Sequence, residues 1–216
     1  MYLNTIDYFL FDLDGTLTDS KIGILNSYIY ALKKMCIQDL DTETLESYIG
    51  HPLKNTFMER YNLSEYDANE SVSFYREYFS EFGLFENKLY PGVFKTLNDL
   101  KNLNKKLFVV TSKPKFFADK IINHFNLVQF FKDIIGSNLD NSMTNKSDLI
   151  KFTTNIHKLE IQKCLMIGDR KHDIIGAKNV GVSSCAVTYG YGSLNELKDE
   201  NPDFVVDNLS DILNFI

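Results

Sequence analysis

Short, largely apolar runs alternate along this chain with longer stretches in which apolar residues recur every three or four positions. Ile6 to Phe11 is a run of the first kind, too short for most helices, and it predicts a buried strand that ends at Asp12. The spacing then changes. Apolar residues at 24, 25, 28, 29, 32 and 35 mark a helix from Ile22 to Met35, with Asp19 or Ser20 available as its cap. Asp41 can cap a helix from Thr42 to Ile49 that Gly50 closes, and Pro52 suits the first turn of another that runs to about Tyr61. Ser64 with Asp67 resembles a capping box and opens a longer helix in which Val72, Tyr75, Phe79 and Phe82 recur at helical spacing. Together with Tyr78, these aromatics are expected to form mainly the interior of a helical block.

From Tyr90 onward the two patterns interleave. Pro91-Gly92 punctuates, a helix runs to about Leu103, and Leu107 to Val110 forms a strand that ends in Thr111-Ser112. A helix marked by Phe116, Phe117, Ile121 and Ile122 follows, then a short strand at Ile134-Ile135-Gly136 and a helix from Leu149 to Ile156. Cys164 to Ile167 reads as a strand that ends in Gly168-Asp169. The next helix, through Ile174, Ile175, Ala177 and Val180, can be terminated by Gly181. Ser184 to Thr188 and Phe204 to Val206 supply two late strands. Such alternation predicts an α/β fold with a Rossmann-like parallel sheet, helices on both faces, and a small α-helical cap inserted after the first strand. The expected division is a core of residues 1–17 and 89–216 and a cap of residues 18–88, joined by short segments suited to a paired hinge.

In an open parallel sheet, ligands bind at the carboxyl ends of the strands where the strand order reverses. The polar residues that follow the predicted strands are of one chemical kind. Asp12 and Asp14 follow the first strand, and their spacing puts both side chains on one side while the backbone stays extended; Gly15 then permits a sharp turn. Thr111 and Ser112 follow the next core strand, Asp169 and Asp173 follow Gly168, and Lys146 lies near the start of a helix. Four carboxylates against one lysine cannot all stay ionised in one pocket, because like charges push each other's pKa values up. A divalent cation resolves the conflict. The donors are oxygens with no cluster of His or Cys, which favours Mg²⁺ over Zn²⁺. The assignment is Asp12, the main-chain carbonyl of Asp14, and Asp169 on the metal, with Asp173 beside it or in direct support. Thr111 and Ser112 offer hydroxyl and amide donors for phosphoryl oxygens, and Lys146 a fixed cation.

Composition narrows the remaining classes. With 216 residues, 44% of them hydrophobic and a formal net charge of -6, the chain is large enough for a substantial core and gives no support to nucleic-acid binding. The Lys33-Lys34 and Lys105-Lys106 pairs read as solvated helix ends. Cys36, Cys164 and Cys185 are odd in number and sit among apolar neighbours, so buried thiols in a reducing compartment are expected rather than disulfides. No stretch approaches the roughly 20 apolar residues of a membrane span. The expected setting is the cytoplasm, as a monomer or homodimer.

The motifs Asp12-Leu13-Asp14-Gly15-Thr16, Thr111, Lys146 and Gly168-Asp169-Arg170-Lys171-His172-Asp173, in this order over essentially the whole chain, resemble the haloacid dehalogenase-like hydrolase superfamily. Within it, the phosphoglycolate-phosphatase-like branch with a helical cap is the most similar. The resemblance implies that Asp12 attacks phosphorus and Asp14 protonates the leaving oxygen, so that a small phosphorylated metabolite is hydrolysed through an aspartyl-phosphate with Mg²⁺ bound. Phosphoglycolate and nucleoside monophosphates are the two substrate classes. Haloacid dehalogenases lack the second aspartate, which speaks against dehalogenation. His51, in a break between cap helices that resembles the loop facing the active site in related enzymes, and Lys113, beside the phosphate-binding pair, are candidate substrate-binding residues. Arg170 departs from the small hydroxyl residue common after the motif aspartate, and it reads more simply as an ion-paired group. His172 reads as an exposed helix residue, and Tyr189-Gly190-Tyr191-Gly192 as a turn after a late strand.

The alternative reading is a phosphotransferase of the β-phosphoglucomutase type, which shares both core motifs and cap and differs in shielding the intermediate from water. A receiver domain also carries a phosphorylatable Asp, a Thr or Ser and a Lys. The roughly 70-residue helical insert right after the first strand does not fit that fold.

Overall fold

The computed structural model describes residues 6–38, 41–140 and 142–215. Its chain divides into two compact units, Met1–Asp19 with Leu89–Ile216, and Ser20–Lys88.

The first unit is built on a six-stranded sheet of β1 (Tyr8–Phe11), β2 (Lys106–Pro114), β3 (Phe131–Ser137), β4 (Cys164–Gly168), β5 (Ser183–Val187) and β6 (Phe204–Val206), in the order β3-β2-β1-β4-β5-β6. All neighbours are parallel. The strands are apolar because helices flank the sheet: Leu10, Phe108, Val110, Ile135, Cys164 and Met166 are buried together with Leu149, Ile150, Ala177 and Val182. The chain builds outward from β1 through β2 to β3, then crosses to β4 on the other side. Strand order therefore reverses at β1 and β4. The register sets Phe11 opposite both Val109 and Ile167, so Asp12, Thr111 and Asp169 all lie at the same end of the sheet.

Local chemistry sets the ends of the covering helices. α5 (Val93–Asn102) buries Val93, Thr96, Leu97 and Leu100 at helical spacing. After α6 (Lys115–His124), α7 (Lys146–Ile156) is opened by Asn145, whose side chain accepts the N–H groups of Ser147 and Asp148. That cap starts the helix at Lys146, three residues before the point at which the apolar stripe begins. Gly181, at φ 81°, closes α8 (Lys171–Val180). A short α9 (Leu194–Asp199) and a terminal 3₁₀ segment (Leu209–Phe215) had no periodic signature long enough to read. β2 also runs beyond Val110 to Pro114, because β3 continues beside it: Thr111 pairs with Gly136, and after an irregularity Pro114 pairs with Ser137.

The second unit, inserted in sequence after β1, is helical: α1 (Lys21–Lys34), α2 (Thr42–Ser47), α3 (Leu53–Tyr61) and α4 (Glu65–Tyr78). The side chains of Asp41 and Ser64 cap α2 and α4 as their spacing implied. Its interior centres on Tyr28, whose ring stands 5.4 Å from Phe57 and 5.1 Å from Tyr75. Two expectations need correction here. The chain goes from α4 into a π-helical turn, Phe79–Gly83; the wider turn breaks the 3.6-residue register, so Phe79 stays buried while Phe82 is exposed. Cys36 is exposed as well, because α1 ends at Lys34 and Cys36 falls in the turn beyond it at φ 57°; only Cys164 and Cys185 are buried. Among the described residues, no helix is long and apolar enough to cross a membrane.

Candidate active site

The turn after β1 places the first two carboxylates. Asp12 continues the strand ladder by donating its N–H to Ile167 O, and the Leu13 carbonyl then collects the N–H groups of Thr16, Leu17 and Thr18. Gly15 makes this turn at φ 83°, where any side chain would be strained and would also strike the Asp169 carboxylate. The turn is thus wrapped against the loop that follows β4.

Asp12, Asp169 and Asp173 each bring a carboxylate oxygen to within 4.8 Å of the others. Lys146 stands among them. Its Nζ donates to the Val110 carbonyl at 3.1 Å and pairs with Asp12 Oδ1 at 3.0 Å and Asp173 Oδ1 at 2.8 Å, although the side chain is only 3% exposed. Burial alone would lower its pKa, yet Asp12 and Asp173 outweigh burial and hold it above the usual lysine range. Lys146 is a permanent cation. The Asp173 carboxylate also accepts the Arg170 N–H through Oδ2, which ties it to the first turn of α8.

Two lysines face four carboxylates once Lys113 is counted, because its Nζ is 2.7 Å from Asp14 Oδ2. Two negative charges remain if every acid is ionised, and the protein alone does not hold them. Burial, reinforced by Asp173 and Asp12, pushes Asp169 up to about 8, and Asp12 is pushed to about 6 by burial, Lys146 pulling against it and Asp173 with it. A three-carboxylate oxygen cluster whose charge is in excess by two fits a hard divalent cation.

Asp169 is the most tightly built of these groups. Thr16 Oγ1 donates to its Oδ1 (3.0 Å), and the Tyr191 N–H donates to its Oδ2 (2.8 Å). The Tyr189 hydroxyl donates to Thr16 O (2.8 Å), and that of Tyr191 to Asp19 Oδ1 (3.3 Å). Gly190 permits this approach: a Cβ there would stand 2.3 Å from Asp169 Cβ and 2.4 Å from Gly15 O. The Tyr189–Gly192 turn, together with Thr16, is therefore a supporting wall of the site. Sequence reasoning took it for a plain turn, although two glycines alternating with tyrosines directly after a core strand was a usable signal of close backbone packing.

On the β2 side, Thr111, Ser112 and Lys113 lie at the irregular end of the strand. The Thr111 hydroxyl oxygen accepts the Lys113 N–H (3.2 Å). Ser112 Oγ donates to Thr144 O (2.9 Å), so its proton serves to hold the loop that leads to Lys146, and its main-chain amide is what remains for a ligand. Arg170 pairs with Glu196 at 2.9 Å, and His172 is exposed. His51 belongs to the other unit, between α2 and α3, with its ring edge-on to Tyr48. In sum, the first unit gathers Asp12, Lys146, Asp169 and Asp173 into one cluster and holds a second ion pair, Lys113 with Asp14, on the turn after β1, with Thr111 beside Lys113.

The haloacid dehalogenase-like hydrolase family model matches residues 9–187. The chain is 44% identical over 193 residues to a 5'-nucleotidase of Pseudomonas aeruginosa, covering 89% of this chain and 87% of that one. It is 28% identical to a phosphoglycolate phosphatase of Vibrio parahaemolyticus over 95% of this chain and 94% of that one. The crystal structure of a predicted phosphatase from Clostridium acetobutylicum superposes with a TM-score of 0.91 at 42% identity, over 97% of each chain.

Proposed function

The chain belongs to the haloacid dehalogenase-like hydrolases, as a phosphatase with an aspartate-based site, and we propose that it is a Mg²⁺-dependent phosphomonoesterase that works through a phosphorylated Asp12. The observation that carries the proposal is the placement of Asp12. Both of its close contacts, Lys146 Nζ and the Leu13 N–H at 2.8 Å, fall on Oδ1. This pins the carboxylate through Oδ1, which supports the assignment of Oδ2 as the attacking atom.

In this reading Asp12 Oδ2 forms a bond to phosphorus as the ester oxygen departs, and Asp14 gives that oxygen a proton. Asp14, now ionised, takes a proton from water, which attacks the phosphoryl group and returns Asp12 to a carboxylate. Thr111 and the Ser112 amide hold equatorial oxygens, while Lys146 keeps a positive charge next to the nucleophile throughout. Asp12, the Asp14 carbonyl, Asp169 and Asp173 would hold Mg²⁺, which supplies further charge to the phosphoryl oxygens. Of the two substrate classes, the 44% identity to a 5'-nucleotidase favours a nucleoside 5'-monophosphate over phosphoglycolate.

Phosphate release from nucleotides, phosphoglycolate and sugar phosphates, with Mg²⁺ and with chelator, tests the proposal. Turnover is expected to require Mg²⁺ and to fall by about 10³-fold or more in Asp12→Asn, the scale of losing a nucleophile. Release that persists in chelator, or in Asp12→Asn, would contradict it. Absence of release from any ester until a sugar acceptor is added would favour phosphotransfer instead.

Mg²⁺ binding should also depend on pH. The Asp169 value near 8 is far above that of an unfolded carboxyl, so between the two the folded, metal-free protein keeps a proton the unfolded chain gives up. Its stability therefore falls as pH rises through that window. Mg²⁺ takes the ionised form, so its affinity rises over the same range. The melting-temperature increase on adding Mg²⁺ is expected to be larger at pH 8 than at pH 6. An equal increase at both would contradict this account.

A further inference from the structure

We propose that Lys113 is the positioning residue of Asp14, a role that rests on the reading of Asp14 as the group that protonates the leaving oxygen. Lys113 Nζ and Asp14 Oδ2 are 2.7 Å apart, and the two side chains are only 8% and 16% exposed. Lys113 can donate to Oδ2 in either charge state of Asp14; in the acid form, restored by the proton taken from water in the preceding turnover, the proton to be handed over sits on Oδ1, and at this depth the contact contributes more through orientation than through net stability.

The backbone is shaped to deliver it. β2 runs two residues past Thr111 without pairing evenly, its partner Gly136 passing directly to Ser137 while β2 spends Ser112 and Lys113 on the gap. The irregularity needs Gly136: a Cβ there would lie 2.6 Å from Lys113 O. Thr111 Oγ1 accepts the Lys113 N–H from within the bulge, so residue and backbone are both held. The lysine stem then crosses to the turn after β1 and ends on Asp14. A two-carbon side chain such as that of Asp14 has only two torsions, and fixing one carboxyl oxygen fixes the plane in which the carboxyl hands over a proton. This role differs from lining the substrate entrance, where the ammonium would bind substrate and leave Asp14 unaffected.

The two roles separate by leaving group. An alkyl ester such as a nucleoside 5'-monophosphate expels an alkoxide that needs the proton of Asp14, whereas p-nitrophenyl phosphate expels a phenolate that does not. The experiment measures kcat/KM for both esters, with Mg²⁺ present, in the native enzyme and in Lys113→Met, Lys113→Arg and Asp14→Asn. In Lys113→Met, the alkyl ester is expected to lose on the order of 10²-fold, the lower range for acid catalysis, and the aryl ester several-fold at most. Lys113→Arg, with its donor restored, should recover most of the loss.

Equal losses on both esters in Lys113→Met, or a rise in KM at unchanged kcat, would overturn the positioning role, and so would an unfolded Lys113→Met accompanied by a folded Lys113→Arg that loses both esters equally. Asp14→Asn separates the two levels of the argument. If Asp14→Asn spares neither ester, the assignment of Asp14 as acid fails. If it discriminates between the esters and Lys113→Met does not, the role of Lys113 alone fails.

Discussion

Replacing Lys146 with methionine is expected to lower the melting temperature by on the order of 10 °C and to reduce turnover by at least about 10²-fold. Methionine keeps the length of the stem but removes the charge. Asp12 and Asp173 would then share a buried space with the Val110 carbonyl and no donor from α7. Breaking a buried pair from one side typically costs about 3–5 kcal/mol, because the partners keep their desolvation and lose their compensation. The loss has a direction with pH. Lys146 already opposes burial in setting Asp12 near 6, so without it Asp12 retains its proton to higher pH. The difference in stability from the native protein should therefore be greatest above pH 6 and shrink in acid, as protonation removes the repulsion. Thermal melts followed by circular dichroism at pH 5 and pH 8 measure this. Equal melting temperatures for the two proteins at pH 8 would show that Lys146 does not hold the cluster.

The second large effect is expected from Gly190→Ala, a single methyl group placed outside every recognisable motif. Its Cβ would overlap both Asp169 and Gly15 O, two parts of the site that approach each other across the Tyr189–Gly192 turn. Neither obstacle is the far end of a flexible side chain, so the turn itself must move. Overpacking of this kind costs typically about 1–3 kcal/mol, and displacing a group that orients a metal ligand costs about 10–100-fold in metal affinity. Displacement of the turn would also pull the Tyr191 N–H from Asp169 Oδ2. Mg²⁺ affinity by calorimetry should therefore weaken, while Tyr189→Phe, which removes only one hydroxyl contact to Thr16 O, should have a smaller effect. Unchanged Mg²⁺ affinity in a folded Gly190→Ala would remove the turn from the account.

The sequence exposed those parts of this architecture that rest on periodicity. Strands buried on both faces, such as Cys164–Gly168, are continuous apolar runs, and the helices between them carry stripes, so a parallel sheet was legible before any coordinates. The acidic residues at strand ends were legible for the same reason: the strand before each one announces its position. What escaped depends on contacts distant in sequence. Nothing near Tyr191 indicates that its N–H reaches Asp169, and nothing near Ser112 that its hydroxyl turns to Thr144. Lys113 stood out only as a neighbour of Thr111; its partner Asp14 lies in the turn after β1, and Lys113 itself sits in the bulge opposite Gly136. Phe82 was assigned inward by a 3.6-residue rule that a π-helical turn suspends.

The claim on which the rest depends is that phosphate passes through Asp12. Its most direct test is mass spectrometry of enzyme mixed with a nucleoside 5'-monophosphate and Mg²⁺, quenched in acid during turnover. The account predicts phosphate on the peptide that contains Asp12, lost once the nucleotide is exhausted and absent from Asp12→Asn. Turnover at full rate with no phosphate on that peptide, or with phosphate on another residue, would contradict it.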